Sequence, residues 1–220
     1  MAAGSTLTTT FSRLSPQLPL ADQHRPHVLE GTLEAGGPHL AWVLGGVTAA
    51  RATIGGWLDR PNSELHISRV TLRLVGDSPV GGFVAVPGGD LAACRRADTV
   101  ALLSATDRAG RVALTARLRE GDVLFPPAQP DQLYLSKVWA PRPAQGFGHG
   151  LPLLREFMRQ GRDGGFARLR ADVMTDNVAL QRFGEFLGWR VGPAATSGVT
   201  GLSYVMMTWD GQGRPRRRRP

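Results

Sequence analysis

Gln145-Gly146-Phe147-Gly148-His149-Gly150 is the stretch on which the reading of this chain turns. Its three glycines fall at every second position, after an apolar, strand-like run from Leu133 to Ala140 and before a helix-like run from Leu151 to Gln160. Glycines placed this way free backbone N–H groups at a helix N-terminus, where the positive end of the helix dipole lies. Such a loop cradles a phosphate without a cationic side chain. A flexible turn between two packed elements is the competing reading, and spacing alone leaves both open.

Downstream, the periodicity is clear. Leu151, Leu154, Phe157 and Met158 share one helical face, with Arg155, Glu156, Arg159 and Gln160 opposite, and Gly161, Gly164 and Gly165 end the helix. A strand is expected from Phe166 to Met174. Asp176 or Asn177 then caps a helix whose inner face is Ala179, Phe183, Phe186 and Leu187, and Gly188 stops it. Trp189 to Val191 begins another strand, and Thr200 to Trp209 is the last. Strand, glycine loop, helix, strand, helix, strand is an α/β unit, and its ligand belongs at the C-terminal edge of the strand before the loop.

Upstream, residues 1–25 form a Thr-, Ser- and Pro-rich arm with a short strand near Leu7 to Leu14. Pro26 argues against a regular helix through His24-Arg-Pro-His27. One helix is expected around His27 to Leu33. A second follows from Leu40 to Leu58, weakened by Gly45, Gly46, Gly55 and Gly56. Asp59 to Ser63 is a break. Leu65 to Val86 reads as an antiparallel hairpin turning at Gly76 to Pro79, and Pro87-Gly88-Gly89 ends it. Residues 90–130 read as an irregular or partly helical excursion, with Asp90 capping a helix through Cys94 to Leu103; Val112 to Leu118 fits either a strand or a helix.

The chain has 220 residues, 42% of them apolar, which suits a single domain over residues 26–213 with the arm before it and a tail at 214–220. A single cysteine, Cys94, excludes an intrachain disulfide and any Cys-based metal site. His24 and His27 read as surface residues, His39 and His66 as isolated ones; with no carboxylate or Cys partners beside them, no metal is expected. The N-terminus has neither the basic start nor the apolar centre of a signal peptide, and the longest apolar run, Leu40 to Ala50, is too short to span a membrane. The expectation is a soluble, cytoplasmic protein. Of the net charge of +8, five charges are Arg214, Arg216, Arg217, Arg218 and Arg219, leaving +3 for the rest. The Arg-rich tail carries no aromatic residue for stacking and reads as a solvated, disordered end, so no nucleic acid partner is expected. Lys137 is the sole lysine, which reads as composition rather than chemistry.

Two motifs together resemble the GNAT superfamily of N-acetyltransferases, which use acetyl-CoA. The acyl-CoA loop of that family reads Arg or Gln, two residues, Gly, one residue, then Gly or Ala; here it is Gln145, Gly146-Phe147, Gly148, His149, Gly150. Its later signature, an Asn that begins a helix followed by a Phe-Tyr pair and Leu-Gly-Phe, is met by Asn177, Phe183 and Leu187-Gly188-Trp189. Val80 to Val86 also looks like the third strand of the family. The resemblance covers about residues 65 to 90 and 131 to 209. The glycine spacing is too short for a Rossmann site, and no Gly-Lys-Ser/Thr of a Walker loop is present.

The resemblance implies an α/β fold of the α+β kind, with a mixed, mostly antiparallel central sheet flanked by helices. It implies acetyl-CoA as co-substrate and transfer to a primary amine, most simply of a small molecule, by direct attack. A CoA-binding module with little turnover, or an acetyltransferase of protein lysines or N-termini, remains open beside it. By the same resemblance Gln145, Gly146, Phe147, Gly148, His149 and Gly150 hold the pyrophosphate, the backbone of Val138, Trp139 and Ala140 holds the pantetheine arm and the thioester carbonyl, and Asn177 and Phe183 lie along the arm. A homodimer is the family's common assembly. The departure is Gly184, which stands where many members carry a Tyr that protonates the leaving thiolate. Asp131, Tyr134, Asp172 and Tyr204 are the candidates for acid and base, with His149 and Ser203 as further substitutes for the Tyr and Glu120 and Asp122 as further carboxylates.

Overall fold

A computed structural model describes residues 8–141 and 148–211. Gln145, Gly146, Phe147 and the Arg-rich tail lie outside the described residues. Among the described residues the chain runs β1 (Thr9–Arg13), α1 (Pro19–Val43), α2 (Val47–Trp57), a 3-10 turn at Ile67–Arg69, β2 (Val70–Val75), β3 (Ser78–Pro87), α3 (Gly88–Ala105), α4 (Arg108–Leu124), β4 (Gln132–Trp139), α5 (Gly150–Asp163), β5 (Arg168–Met174), α6 (Val178–Phe186), β6 (Arg190–Thr196) and β7 (Ser203–Trp209). The strands form one sheet in the order β1-β2-β3-β4-β5-β7-β6, antiparallel at every pairing except β4–β5. This is the mixed, mostly antiparallel sheet flanked by helices that the resemblance implied.

Each local signal has a physical outcome. Gly76, at φ 58, and Asp77 make the two-residue turn between β2 and β3. Asn177 caps α6 by accepting a hydrogen bond from the Leu180 N–H at 3.2 Å, and Gly188, at φ 88, ends that helix. In α5, Leu153, Leu154, Phe157, Met158 and Gly161 face inward, and the glycine is there because the Leu169 side chain lies against it.

The core has two halves, one on each face of the sheet. On one, α1 and α2 bring Val28, Ile54 and Leu58 against Leu72, Val84 and Val86. On the other, α5 brings Leu153, Leu154 and Phe157 against Phe83, Leu135 and Leu169, with Phe83 and Phe157 edge to face at 5.8 Å.

Several expectations are corrected. Pro26 lies inside α1, which begins at Pro19: the burial of His24, Val28, Gly31 and Thr32 outweighs the hydrogen bond a proline removes. The helix expected from Leu40 to Leu58 is two, because Gly45 (φ 85) and Gly46 (φ 116) turn the chain between α1 and α2. Within α1 the backbone leaves helical geometry at Gly37 (φ 58, ψ −161), just before Pro38. The excursion at 90–130 is largely helical: α3 and α4, the latter capped by Asp107, whose side chain accepts from the Gly110 N–H at 2.7 Å. His24, expected at the surface, is buried, and His27 is half-buried against Trp139; His39 and His66, read as isolated, are buried as well.

Trp139, at the end of β4, ties the halves to the strand that matters most below. Its indole lies against Gly31 of α1 and Gly82 of β3, and its Nε1 donates to His27 Nε2 at 3.2 Å. A Cβ on Gly31 would come within 2.1 Å of the indole nitrogen, far inside contact distance. Gly31→Ala is therefore expected to lower stability by about 1–3 kcal/mol, although on helix propensity alone the change is worth about 1 kcal/mol in the opposite direction. Urea unfolding reads the sign directly: a midpoint unchanged or raised would show that Trp139 is not seated on Gly31.

Candidate active site

β4 and β5 are hydrogen-bonded in parallel over Gln132–Leu135 and Arg168–Ala171, and there the ladder stops. Beyond it, β4 keeps only β3 as a partner, out to Trp139 against Gly82, and β5 keeps only β7, out to Met174 against Tyr204. The strands part, and the space between them is a cleft of about 660 Å³. Val138, Trp139 and Ala140 line one wall and Asp172, Val173 and Met174 the other, with Asn177, Leu180 and Phe183 of α6 beside them and Gly37 at the kink of α1 above. The β3–β4 register slips between Val84 and Ala85, so Ser136 is an extra residue on β4. A bulge of this kind re-aims side chains, and Ser136 and Lys137 in succession both reach the cavities on this side.

At the mouth of the cleft stand Gly148, His149 and Gly150, at the N-terminus of α5. Gly148 has φ 78, a conformation that a side chain would strain. The first turn of α5 carries no acidic residue, so its unpaired N–H groups present an uncompensated positive end. His149 Nδ1 lies 2.6 Å from Arg73 Nη1. Burial, and then the Arg73 charge, push the imidazole below its ordinary pKa, so the ring is neutral and accepts from the guanidinium. A Cβ on Gly150 would come within 3.1 Å of the Phe183 ring, so that ring covers the start of α5 closely.

A second cavity, of about 400 Å³, opens from the first on the α1 side of the sheet. Leu40, Val43 and Leu44 of α1, Trp57 of α2, Leu102 and Leu103 of α3, and Leu118 of α4 with Phe125 after it give it apolar walls. Its floor is charged. Glu64 accepts from Arg95 Nε at 2.9 Å and from the Ser136 hydroxyl. Although burial opposes ionisation, Arg95, Lys137 and these hydrogen bonds hold the carboxyl well below the usual range, at about 2. Arg95 also donates to Tyr134 Oη at 3.2 Å, and Tyr134 in turn donates to Asp172 Oδ2 at 3.0 Å. Arg170 completes the set at 2.9 Å from the same oxygen.

Asp98, on α3, is the exception in this network. Its Oδ2 accepts from Ser63 Oγ at 3.1 Å and from the Glu64 N–H at 3.0 Å, but its buried Oδ1 has no hydrogen-bond partner among the described residues. Burial raises this carboxyl to about 6, with nearby Glu64 adding to the effect. His39 Nδ1 on the same cavity is likewise buried and without a partner.

The sequence candidates distribute as follows. Val138, Trp139, Ala140, Gly148, His149, Gly150, Asn177 and Phe183 all line the cleft. Asp172 and Tyr204 line both cavities and Tyr134 the second. Tyr134 is committed to Asp172 and burial holds its hydroxyl far above its ordinary pKa. Tyr204 is pushed up to about 12, chiefly by burial, and packs edge to face on Phe125 at 4.8 Å. Asp131 is at the opposite, N-terminal end of β4, exposed and paired with Arg168 at 2.7 Å, and lines neither cavity. Gly184 faces the core: a Cβ there would collide with Met207 and touch Trp189, so Phe183, one residue earlier, is the α6 side chain beside the cleft. Residue reading missed Glu64, Arg95, Asp98, Ser136, Lys137 and Arg73. Only the lone lysine carried a signal in the sequence.

No family model and no curated protein sequence matches this chain. Solved structures do. An N-acetyltransferase from Staphylococcus aureus Mu50 superposes with a TM-score of 0.64 over 91% of this chain and 100% of its own, at 9% identity. A ribosomal-protein-alanine N-acetyltransferase from Brucella melitensis gives 0.55 over 91% and 99%, at 15% identity. A Bacillus subtilis acetyltransferase in complex with CoA gives 0.51 over 93% and 98%, at 10% identity. At such identities the likeness is one of fold: this chain has the fold of the GNAT N-acetyltransferases.

Proposed function

We propose that this protein is an N-acetyltransferase that moves an acetyl group from acetyl-CoA to the primary amine of a small molecule by direct attack. The observation that carries this reading is the junction of the two cavities. A long cleft with a helix N-terminus at its mouth opens, at Ser136, Lys137, Asp172 and Tyr204, into an apolar chamber with a charged floor.

The cleft suits acetyl-CoA on three counts. The N-terminus of α5 has no competing acid, Arg73 stands behind His149 as a cation near a pyrophosphate, and the facing edges of β4 and β5 have no ladder partners past Leu135 and Ala171, so they are available to the amides of a pantetheine arm. When bound, acetyl-CoA supplies an acyl group already activated as a thioester. On this reading Gly148, His149 and Gly150, with Gln145, Gly146 and Phe147 before them, hold the pyrophosphate. The backbone of Val138, Trp139 and Ala140 orients the thioester, and Asn177 and Phe183 flank the arm. An N–H aimed at the developing oxyanion contributes on the order of 3 kcal/mol in sites of this kind.

The chamber takes the amine. Asp98 suits the general base, because Oδ1 is an unused acceptor and a carboxyl near 6 is basic enough to take a proton at neutral pH. Glu64, at about 2 and with both oxygens engaged, is not. Tyr204 stays protonated at neutral pH and borders both cavities, so it can donate to the departing thiolate. A thiol with a pKa near 8.5 also leaves tolerably without that help. A second reading, a CoA-binding module with little turnover, draws on Gly184, which leaves no tyrosine hydroxyl at that position.

Three outcomes test these assignments. Acetyl-CoA at about a hundred times its Kd should stabilise the protein by about 2.7 kcal/mol, a rise of several degrees in Tm; no shift at any concentration would sink the reading, and a shift with no thiol release across a broad panel of amines would select the module. Gly148→Val should shrink that shift, since the left-handed backbone there strains a side chain by about 1–3 kcal/mol. Asp98→Asn should separate stability from activity. A carboxyl raised in the folded state favours folding below about pH 3.8 and loses that contribution as pH rises through about 6. The variant should therefore be more stable than the parent at pH 7, on the order of 2 kcal/mol, while thiol release falls. Equal thiol release by the two proteins would remove Asp98 as the base.

A further inference from the structure

We infer that Lys137 is an internal acetylation site, its ε-amine accepting an acetyl group from acetyl-CoA bound in the cleft of the same chain. The inference rests on the acetyl-CoA reading above and adds an acceptor that belongs to the protein itself.

Of the side chains that line both cavities, Lys137 carries the one amine, and it is also the only lysine in the sequence. It precedes Val138, at which the thioester carbonyl is placed by that reading, and the bulge at Ser136 turns it towards the junction. Its Nζ is held on the strand, 3.0 Å from the Ser136 carbonyl oxygen and 3.4 Å from Ser136 Oγ. Among the described residues no carboxylate lies within ion-pairing distance of it: Glu64 is taken by Arg95, and Asp172 by Arg170. A lysine serving as a structural counter-ion would be expected to reach one of these.

The attacking form is the neutral amine, which burial favours while the nearest carboxylates hold the resting side chain towards the ammonium. Burial pushes the Lys137 ammonium below its ordinary value and Arg95 of α3 pushes the same way, while Glu64 and Asp172 oppose them. His39 of α1 and Asp98 of α3 face the same cavity. A desolvated lysine is the ordinary route to a nucleophilic amine in a protein.

The step balances without a further reagent. The neutral amine attacks the thioester carbonyl carbon with its lone pair. The C–N bond forms, the C–S bond breaks, and the sulfur leaves as a thiolate. The amine nitrogen gives up one proton, which ends on that sulfur, so the products are Nε-acetyl-Lys137 and free CoA thiol. The acetylated side chain carries no charge and occupies the junction that an outside amine has to cross, so the modification should also slow transfer to such an amine.

The test uses full-length protein incubated with acetyl-CoA or with CoA alone, followed by intact mass, peptide mapping and a melting curve. The expected result is a gain of one acetyl group per chain with acetyl-CoA only, mapped to Lys137, at a first-order rate independent of protein concentration. The gain should be absent in Lys137→Arg and in protein held unfolded in urea. Acetylation of the N-terminal amine alone, equal labelling of unfolded protein, or a rate that scales with protein concentration would overturn the inference. A CoA-induced rise in Tm with no acetyl gain would overturn it too, while leaving the CoA reading standing. No melting shift with CoA would remove that reading, and the inference with it.

Discussion

Two parallel strands can stay hydrogen-bonded only while nothing pulls them apart, and in this chain β4 and β5 are pulled apart from Leu135 and Ala171 onward. Each keeps its other neighbour: β4 follows β3 to Trp139, and β5 follows β7 to Met174. Half of each backbone is therefore satisfied by the sheet, and the other half faces the gap. Open strand edges inside a protein are costly and prone to pairing with something else. Trp139 holds β4 on its divergent course, seated on Gly31 and Gly82 where no other residue type leaves room for an indole. The extra residue at Ser136 bends the strand at the point of divergence. Extended amide-bearing ligands are the natural complement of such a gap.

The charged floor of the second cavity obeys a stricter rule. Ionised groups out of water persist only when each is paired and hydrogen-bonded. Glu64 meets that rule, with Arg95 on one oxygen and Ser136 on the other, and its carboxyl drops to about 2 despite its burial. Asp172 meets it through Arg170 and Tyr134. Asp98 does not, and its carboxyl rises to about 6. Carboxylates within one cavity are thus driven in opposite directions, Glu64 down by its partners and Asp98 up by burial, which is how a site separates a structural anion from a proton acceptor.

What could be read from the residues follows from how local each signal is. β4, the start of α5 and the Asn177 cap were legible because strand, glycine and cap signals are written within a few consecutive positions. Pro26 misled because a proline's local penalty says nothing of the packing that outweighs it, here Val28 and Gly31 against β4. The buried His24, expected at the surface, misled for the same reason. Glu64 lies in the connection before β2, Arg95 and Asp98 on α3, and Lys137 on β4; only the sheet order and the helices crossing it bring them together. No spacing in the sequence encodes that meeting. Gly184 is a subtler case: the motif drew attention to it, while the helix rotation that turns it onto Met207 was not readable from the motif.

The helical character of residues 90–130 bears on what the acceptor is. An irregular excursion would leave room for an extended peptide to lie across the sheet. Instead α3 and α4 stand as two walls, and α4 is joined to α1 by Arg117 Nη1 donating to the Trp42 carbonyl at 3.3 Å. The chamber beside them holds about 400 Å³, the size of a small-molecule pocket, and Leu102, Leu103, Leu118 and Phe125 line it together with Thr99, Thr115, Arg119 and Asp122. On the proposed reading a compact amine with an apolar body suits such a chamber, and its N–H would be the donor that Asp98 Oδ1 lacks among the described residues. On that reading, chamber size and the missing hydrogen bond favour the same class of acceptor.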